Sequence, residues 1–235
     1  LVIWLKIAWA ALSSRSNQAF YDRISPIYEK AFTAHRVHAE TIADLLTRLY
    51  TGKEQETLVL DLGCGTGMLS RMLADRGFRV IGLDVSFRSL HLLTRRNSRI
   101  NAVQADAERL PLAGNQLKSV VSLGVWRHIE HPTKVFDEIV RSLSPKGILV
   151  IGYFPPALAG VLRASPSGFG GLLLKVYGYV TNRLGYNDRA DVALEAETVA
   201  EARRRFGDVR EIESGLHWRL IFAQHPISGQ PHDSK

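Results

Sequence analysis

The chain has 235 residues, of which 46% are hydrophobic and 23% are charged, the composition of an ordinary globular protein. That length suffices for one α/β domain with a full core and is short for two domains. The one cysteine, Cys64, excludes an internal disulfide framework and favours a reducing compartment, so we expect a cytoplasmic protein.

The formal charge is +7, and residues 57–152 hold most of the surplus, with 13 Lys or Arg against 8 Asp or Glu. A basic surplus can attract nucleic acid or anionic lipid. Single-strand binding favours aromatic residues interleaved with the basic ones, and none interleaves with Arg88, Arg95, Arg96 and Arg99. Nucleic acid is therefore not the predicted partner.

The first segment, Leu1–Leu12, is apolar except for one lysine. It is well short of the roughly 20 residues that span a bilayer, and it lacks the charged leader and cleavage site of a signal peptide. Trp4, Ile7 and Ala11 fall on one face of a helix. Three interpretations stay open: an interfacial anchor, a lid helix over a site, or a helix that packs on the core.

Two helices are predicted between Asn17 and Gly52. Pro26 interrupts the first, because proline removes a backbone donor and clashes with the preceding turn. The second is predicted from apolar residues in 3.6-residue register, namely Val37, Ile42, Leu45, Leu46 and Leu49.

The next stretch, TLVLDLGCGTGMLS, predicts a strand, a glycine turn and a helix. Leu58–Leu62 reads as a buried strand that contains Asp61, and Gly63, Gly65 and Gly67 follow at alternate positions. From Met68 the apolar spacing becomes helical. Such a turn brings the backbone close to a ligand at the carboxyl edge of an open sheet.

Two kinds of cofactor use this arrangement. A dinucleotide fold needs a third glycine at the sixth position from Gly63, where this chain has Met68. Asp61 would also repel a pyrophosphate, whereas it suits a cationic group such as the α-ammonium of a methionine moiety. The residues therefore favour a methionine-containing cofactor and leave the dinucleotide site as the alternative.

The string resembles motif I of the class I S-adenosylmethionine (SAM) methyltransferases. The resemblance to their type-11 group, which includes ubiquinone and menaquinone methyltransferases, covers about Phe20 to Ala223. It implies SAM as the cofactor and no metal. It also implies that the loop residues bind this cofactor, namely Asp61, Gly63, Cys64, Gly65 and Gly67. For Cys64, a small residue that fits a crowded turn is the simpler interpretation.

Four later residues complete the implied cofactor site. Asp84 ends the next strand, 21 residues after Gly63, where a carboxylate can accept both ribose hydroxyls. The family packs an apolar side chain on the adenine at the position of Val85. Its DAxxLP pattern places Asp106 at the adenine amino group and the amide of Ala107 at a ring nitrogen. The alternative for Asp106 is a loop cap.

The resemblance implies fewer catalytic residues than cofactor-binding residues. The first tyrosine of YDRISPIYE lies near the methionine carboxylate in the family, so Tyr21 and Tyr28 are site candidates and otherwise packing residues. His128 follows the carboxyl end of a strand, where it is a candidate general base or a structural residue of its loop. Methyl transfer from a sulfonium does not always need a base.

The alternation of strands and helices predicts an α/β fold, a doubly wound, mostly parallel seven-stranded sheet with one antiparallel strand. Residues 1–56 are predicted to cap the site, residues 57–227 to form the SAM-binding domain, and residues 228–235 to be a disordered tail. Residues 153–190 are predicted to cover the acceptor. The candidates to line it are Phe154, Phe169, Tyr177 and Tyr179.

The resulting hypothesis is a SAM-dependent methyltransferase that acts on a small molecule, such as an apolar quinone-like or lipid-like acceptor. The alternatives are an RNA or protein methyltransferase and a SAM-binding module without turnover. The apolar segments 1–12 and 172–186 carry Lys or Arg beside the apolar run, as interfacial helices do, so peripheral membrane contact is an open alternative to plain packing. The sequence does not predict the oligomeric state.

Overall fold

A computed structural model describes residues 2–33, 35–153, 188–214 and 218–227. The predicted acceptor-lining residues Phe154, Phe169, Tyr177 and Tyr179, segment 172–186 and the predicted tail 228–235 lie outside these ranges. In chain order the described residues form α1 (Val2–Ser13), α2 (Asn17–Ile24), a 3-10 turn (Ser25–Ile27), α3 (Tyr28–Ala31), α4 (His35–Leu49), a 3-10 turn (Glu54–Glu56), β1 (Leu58–Leu62), α5 (Met68–Asp75), β2 (Arg79–Asp84), α6 (Phe87–Arg96), β3 (Asn101–Gln104), β4 (Leu117–Leu123), a 3-10 turn (Trp126–His128), α7 (Pro132–Ser142), β5 (Leu143–Tyr153), α8 (Asp188–Arg205), β6 (Phe206–Ser214) and β7 (Trp218–Pro226).

The described strands form one seven-stranded sheet in the order β3-β2-β1-β4-β5-β7-β6. All neighbouring pairs are parallel except those of β7, which is antiparallel to both β5 and β6. This confirms the predicted α/β fold with one antiparallel strand. The chain moves outward from β1 to β3 and then returns to β4 on the other side of β1. Ligands of open α/β sheets bind at such a reversal, outside the carboxyl ends of the strands.

Alternate residues of the strands supply two cores, one on each face of the sheet. Val59 belongs to the core under α4, α5 and α6, whereas the adjacent Leu60 belongs to the core under α7 and α8. Both residues are fully buried, as expected for a parallel sheet that is covered on both faces. A third, smaller cluster joins α1 and α2 through Ile7, Phe20 and Ile24. We call α1–α3 the cap.

Pro26 interrupts the first predicted helix as expected, because α2 ends at Ile24 and a 3-10 turn follows. The predicted apolar face of α4 is partly wrong. Val37 and Leu49 are 49% and 44% exposed, and the buried stripe includes His38 and Ala39. Burial lowers the pKa of His38 to about 4, so this imidazole is neutral at ordinary pH and can lie in the buried stripe. Counting only large apolar residues missed it.

The fifth strand is also longer than predicted. The sequence predicts a turn at 145–147 and a strand over Ile148–Ile151, but β5 begins at Leu143. Its pairing with β4 shifts register between Leu117 and Ser119, so Pro145 lies in an irregular stretch of strand. None of the described helices is both long enough and apolar enough to cross a membrane.

Candidate cofactor and acceptor site

A cavity of about 680 Å³ lies at the carboxyl ends of β1, β2, β3 and β4. The glycine turn and the loops after β2, β3 and β4 form its floor and sides. The cap and the residues just before α2 line another side of the cavity, with residues 15–18, Tyr21, Ser25 and Tyr28. Its size and position are those of a small-molecule site.

The glycine turn has a left-handed backbone at all three alternate glycines, with φ of 72° at Gly63, 53° at Gly65 and 81° at Gly67. A Cβ at Gly63 would lie 2.2 Å from a methyl carbon of Val125, and one at Gly67 would lie 2.0 Å from Leu93. A Cβ at Gly65 would meet no protein atom within 4 Å, and Gly65 lines the cavity. Two of the glycines are therefore required by packing, and the third keeps the cavity open.

Asp84 lies at the cavity wall, where its two carboxylate oxygens are held by two different loops. Oδ2 accepts the Gly65 N–H at 2.8 Å, and Oδ1 accepts the Ser86 N–H at 2.8 Å. Burial raises the pKa of Asp84, and these backbone hydrogen bonds oppose the shift. Each oxygen has a further lone pair, so the carboxylate can accept two hydroxyl groups from a ligand.

Asp61, Cys64 and Gly67 lie behind the cavity wall. Asp61 is 2% exposed, and its Oδ2 accepts the Ser70 hydroxyl at 2.6 Å. Cys64 packs in the core, and burial raises the pKa of its thiol. Its placement agrees with a small packing residue. Contact of these three residues with a cofactor stays a prediction.

Ionisation of Asp61 makes the stability of the fold depend on pH. Burial, with a smaller contribution from Asp84, raises the pKa of Asp61 to about 7, although the Ser70 hydrogen bond opposes this. The folded carboxyl thus keeps its proton from about pH 4 to 7, a range in which the unfolded chain loses it. The Asp61 contribution to stability is therefore full at low pH and is lost as the pH rises through this range.

We expect Asp61→Asn to remove this part of the pH dependence, because an amide does not ionise. Between pH 5 and pH 7.5, the wild type should lose on the order of 2–3 kcal/mol more stability than the variant. Urea denaturation of both proteins at the two pH values measures the difference, in which the other titrating groups cancel. Equal losses would show that Asp61 titrates near its ordinary pKa.

The other predicted cofactor residues line one end of the cavity. Val85 is 39% exposed there, and Asp106 and Ala107 follow β3. The Asp106 Oδ1 accepts the Glu108 N–H at 2.9 Å, so this side chain also caps its own loop. Asp106 therefore caps its own loop, as the alternative interpretation predicts, and it also lines the cavity.

The two predicted catalytic candidates meet across the cavity. The Tyr21 hydroxyl of α2 lies 2.8 Å from Nε2 of His128, in the loop after β4, and both residues line the cavity. Their rings meet edge to face, with centroids 5.3 Å apart. Tyr28 also lines the cavity, and its hydroxyl lies 3.2 Å from Nδ1 of His35.

Several residues at the cavity escaped the sequence analysis. Thr66 and Ser89 line the cavity, and two acidic residues of the cap, Asp22 and Glu29, bind to the loops around it. The sequence shows Asp22 and Glu29 only as two charged residues in an amphipathic segment. Such a signal does not identify their partners.

Comparisons with known proteins agree with this geometry. Residues 60–151 match a family described as a methyltransferase domain. A demethylmenaquinone methyltransferase of Renibacterium salmoninarum is 34% identical over 142 residues, which are 60% of this chain and 58% of that protein. A malonyl-[acyl-carrier protein] O-methyltransferase of a Methylovorus species is 33% identical over 156 residues, 62% of this chain and 52% of that protein. The chain thus matches little more than half the length of these relatives.

Among solved structures, the plantazolicin methyltransferase BpumL in complex with S-adenosylhomocysteine (SAH) has a TM-score of 0.66. It is 13% identical and covers 95% of each chain, so the likeness concerns the fold. The predicted resemblance to methyltransferases and the Rossmann-like fold are confirmed.

Proposed function

We propose that this chain binds SAM and transfers the methyl group to a small-molecule acceptor, because residues 60–151 match a methyltransferase domain family. One observation carries the proposal. Asp84, Gly65 and the exposed side chain of Val85 line the same cavity, and no protein atom fills the space in front of Gly65. These are the features that a ribose, a closely approaching ligand and an adenine ring require.

The residues present fit the cofactor. Asp84 would hold the ribose hydroxyls, the loop at Gly65 would lie along the methionine moiety, and Val85, Asp106 and Ala107 would hold the adenine. The cofactor supplies a methyl group already activated by its sulfonium. The remaining task of the chain is to orient the acceptor and exclude water, which the cap over the cavity supports.

We infer that Tyr21 and His128 handle the proton of the acceptor. With a proton on the Tyr21 hydroxyl and an unprotonated His128 Nε2, the 2.8 Å contact is a hydrogen bond from the phenol to the imidazole. The phenol oxygen can then take a proton from an acceptor O–H or N–H while its own proton moves to Nε2. The positive charge ends on the imidazole, and the acceptor atom becomes a better nucleophile.

Substitution of either residue should slow methyl transfer more than it weakens cofactor binding. We expect Tyr21→Phe and His128→Gln each to lower kcat by about a hundredfold or more, the usual contribution of general base catalysis. SAH affinity, measured by calorimetry, should fall much less, by at most the one hydrogen bond that Tyr21 can make to the methionine carboxylate. His91→Gln, on the surface of α6 outside the cavity, is the control. Unchanged kcat in both variants would mean that the acceptor needs no base.

An apolar acceptor of the demethylmenaquinone type suits the part of the cavity near His128. Four apolar side chains line the cavity there, namely Leu123, Val125, Ile129 and Val135, alongside the polar Glu130 and His131. Demethylmenaquinone methyltransferases of two further organisms are 33% and 39% identical over 155 and 97 residues. A malonyl thioester, the substrate type in the name of another relative, is the second candidate.

A nucleic-acid acceptor has less support. Of the basic residues around α6, Arg96 is paired with Glu29 and Arg99 with Asp75, so part of the positive surplus is neutralised within the fold. A SAM-binding module without turnover would make the same cofactor contacts. It differs from an enzyme in that it would bind SAH but transfer no methyl group.

Calorimetric titration with SAH tests the cofactor, and transfer of a labelled methyl group from SAM tests the reaction. The acceptor panel should contain a short-chain demethylmenaquinone reduced beforehand to its quinol, a malonyl thioester and bulk RNA. The reduction is needed because the quinol, unlike the quinone, has an O–H to deprotonate and a nucleophilic ring. We expect SAH binding, no NADH binding, and transfer to the quinone precursor. Binding of NADH instead of SAH would overturn the cofactor assignment. SAH binding with no transfer to any acceptor would favour the module without turnover.

We also propose that α1 contacts an anionic membrane surface beside the cavity mouth. Val2, Leu5, Trp9 and Leu12 form an exposed stripe with the spacing of one helix face, opposite the buried Ile7 and Ala11. The first 21 residues contain no Asp or Glu, whereas Lys6 and Arg15 are exposed, and Arg15 lines the cavity. An apolar stripe with basic flanks is typical of interfacial helices.

Vesicle sedimentation decides this point. We expect the protein to bind vesicles of phosphatidylcholine and phosphatidylglycerol in equal parts at low salt, and Leu5→Ser with Leu12→Ser to release it. Leu49→Ser, which changes an exposed leucine of α4, is the matched control. Point variants are preferable to deletion of residues 1–14, because Ile7 and Ala10 pack in the cap. A wild type that stays in the supernatant removes the membrane proposal.

A further inference from the structure

Two carboxylates of the cap bind the core at the edge of the cavity. Asp22, in α2, accepts the Ser86 hydroxyl at 2.5 Å and the Arg88 N–H at 3.3 Å through Oδ1. Ser86 is fully buried, and it is the N-cap residue of α6, where its hydroxyl also accepts the Ser89 N–H. Asp22 thus lies at the positive end of α6, a favourable place for an anion.

Glu29, in α3, makes the second contact. Its Oε1 accepts the Thr66 hydroxyl at 2.7 Å, and its two oxygens lie 3.1 and 3.0 Å from the Arg71 guanidinium. Arg96 of α6 contacts Oε1 as well. Arg71 in turn donates to the Thr66 carbonyl at 2.7 Å, so Glu29 and Arg71 hold Thr66 from both its hydroxyl and its backbone.

Both anchors are adjacent to the groups that orient Asp84. Ser86, held by Asp22, donates its N–H to Asp84 Oδ1. Thr66, held by Glu29, directly follows Gly65, whose N–H donates to Asp84 Oδ2. The cap therefore holds, through two separate loops, the two donors that fix the carboxylate. We call Asp22 and Glu29 the clamp.

Within the clamp, the ion pair of Glu29 with Arg71 should be stronger than an ordinary surface ion pair. The side chains of Glu29 and Arg71 are only 26% and 23% exposed, so solvent screens them incompletely. Burial by itself raises the pKa of Glu29, but the Thr66 hydrogen bond and the charges of Arg71 and Arg96 bring it below its ordinary value. Glu29 is thus a charged acceptor, and hydrogen bonds to charged groups are the strong ones.

We propose that Asp22 and Glu29 are positioning residues for the cofactor: they hold the Ser86 and Gly65 amides so that Asp84 points at the ribose, and this couples closure of the cap to cofactor binding. The inference rests on the proposed SAM site. By linkage, a cofactor that binds the positioned Asp84 must stabilise the closed cap to the same degree as the closed cap favours the cofactor.

A thermodynamic cycle tests the coupling with SAH as the probe. Asp22→Ala and Glu29→Ala should each weaken SAH binding by about tenfold, the size of one lost hydrogen bond to a charged group. Asp22→Asn should restore most of the affinity, because its amide oxygen can still accept from Ser86. In an Asp84→Ala background, Asp22→Ala should have little further effect, since the group that it positions is gone.

Asp44→Ala is the matched control. Asp44 ties α4 to Arg76 at 2.6 Å, at the end of α5, and neither residue lines the cavity. It should lower thermal stability without changing SAH affinity. If Asp22→Ala and Asp84→Ala weaken binding additively, the clamp is only structural and the proposal is overturned. If the wild type does not bind SAH, it is the cofactor assignment that fails.

Hydrogen exchange supplies a readout that does not depend on affinity. Addition of SAH to the wild type should slow amide exchange in α2 and α3. In a variant with both Asp22→Ala and Glu29→Ala, at saturating SAH, this protection of the cap should largely disappear. Equal protection of the cap in both proteins would show that the clamp does not transmit cofactor binding.

Discussion

Gly65→Val should abolish SAH binding while the protein still folds. A Cβ at Gly65 would not clash with any protein atom, because it would project into the cavity. The valine side chain would therefore occupy space that the ligand needs. We expect affinity to fall by at least about a hundredfold, because the backbone and the ligand could no longer approach closely. Calorimetry measures the loss, and circular dichroism checks the fold.

Gly52→Val separates this effect from backbone strain. Gly52 also has a positive φ, 75° against 53° at Gly65, and a Cβ there would also meet nothing within 4 Å. Both variants carry a left-handed valine, a strain on the order of 1–2 kcal/mol. Only the Gly65 variant should lose SAH. If both lost it equally, strain rather than occupancy of the cavity would be the cause, and the proposed position of the cofactor would be wrong.

Asp84→Ala should weaken SAH binding by about 1.5–3 kcal/mol, since a pair of charge-assisted hydrogen bonds to the ribose is lost. The Gly65 and Ser86 amides also lose their shared acceptor, so the loop is less well ordered. Titration of SAH into the variant and the wild type at one pH measures the change.

Asp106→Ala provides the comparison for this carboxylate. Asp106 is exposed, and the contact made by its side chain is with the Glu108 N–H of its own loop. Its loss should therefore have a smaller effect than that of Asp84, whose oxygens are held by two loops. A larger effect at Asp106 would mean that the adenine end, not the ribose, dominates binding.

The cofactor half of the site could be predicted from the sequence because its signals are local. A strand, alternate glycines and a helix follow one another between Leu58 and Asp75, and the backbone conformation that they require is the one observed. One helix and one strand separate the glycine turn from Asp84, and this interval predicts a carboxylate at the end of the second strand. The same local rules predicted the order of strands and helices, which fixes a doubly wound sheet.

The rest depends on contacts between distant parts of the chain. Tyr21 and His128 are 107 residues apart, and Asp22 and Ser86 are 64 apart, so no spacing rule relates them. The α4 face was misread because a buried stripe can contain a neutral histidine and alanines. The turn string likewise does not show that Asp61 lies behind the cavity wall, since strand alternation gives the face of a residue but not its depth.

The place of β7 in the sheet bears on how this protein is synthesised. β5 pairs with β7, from Ile148 opposite Gln224 to Tyr153 opposite Arg219, and among the described strands β6 pairs with β7 alone. The edge of β5 that pairs with β7, rich in isoleucine and valine, therefore stays unpaired on the ribosome until β7 emerges. Exposed hydrophobic edges of this kind recruit other chains. Products that stop before residue 218 should aggregate, and a nascent chain is expected to need chaperone protection until β7 is released.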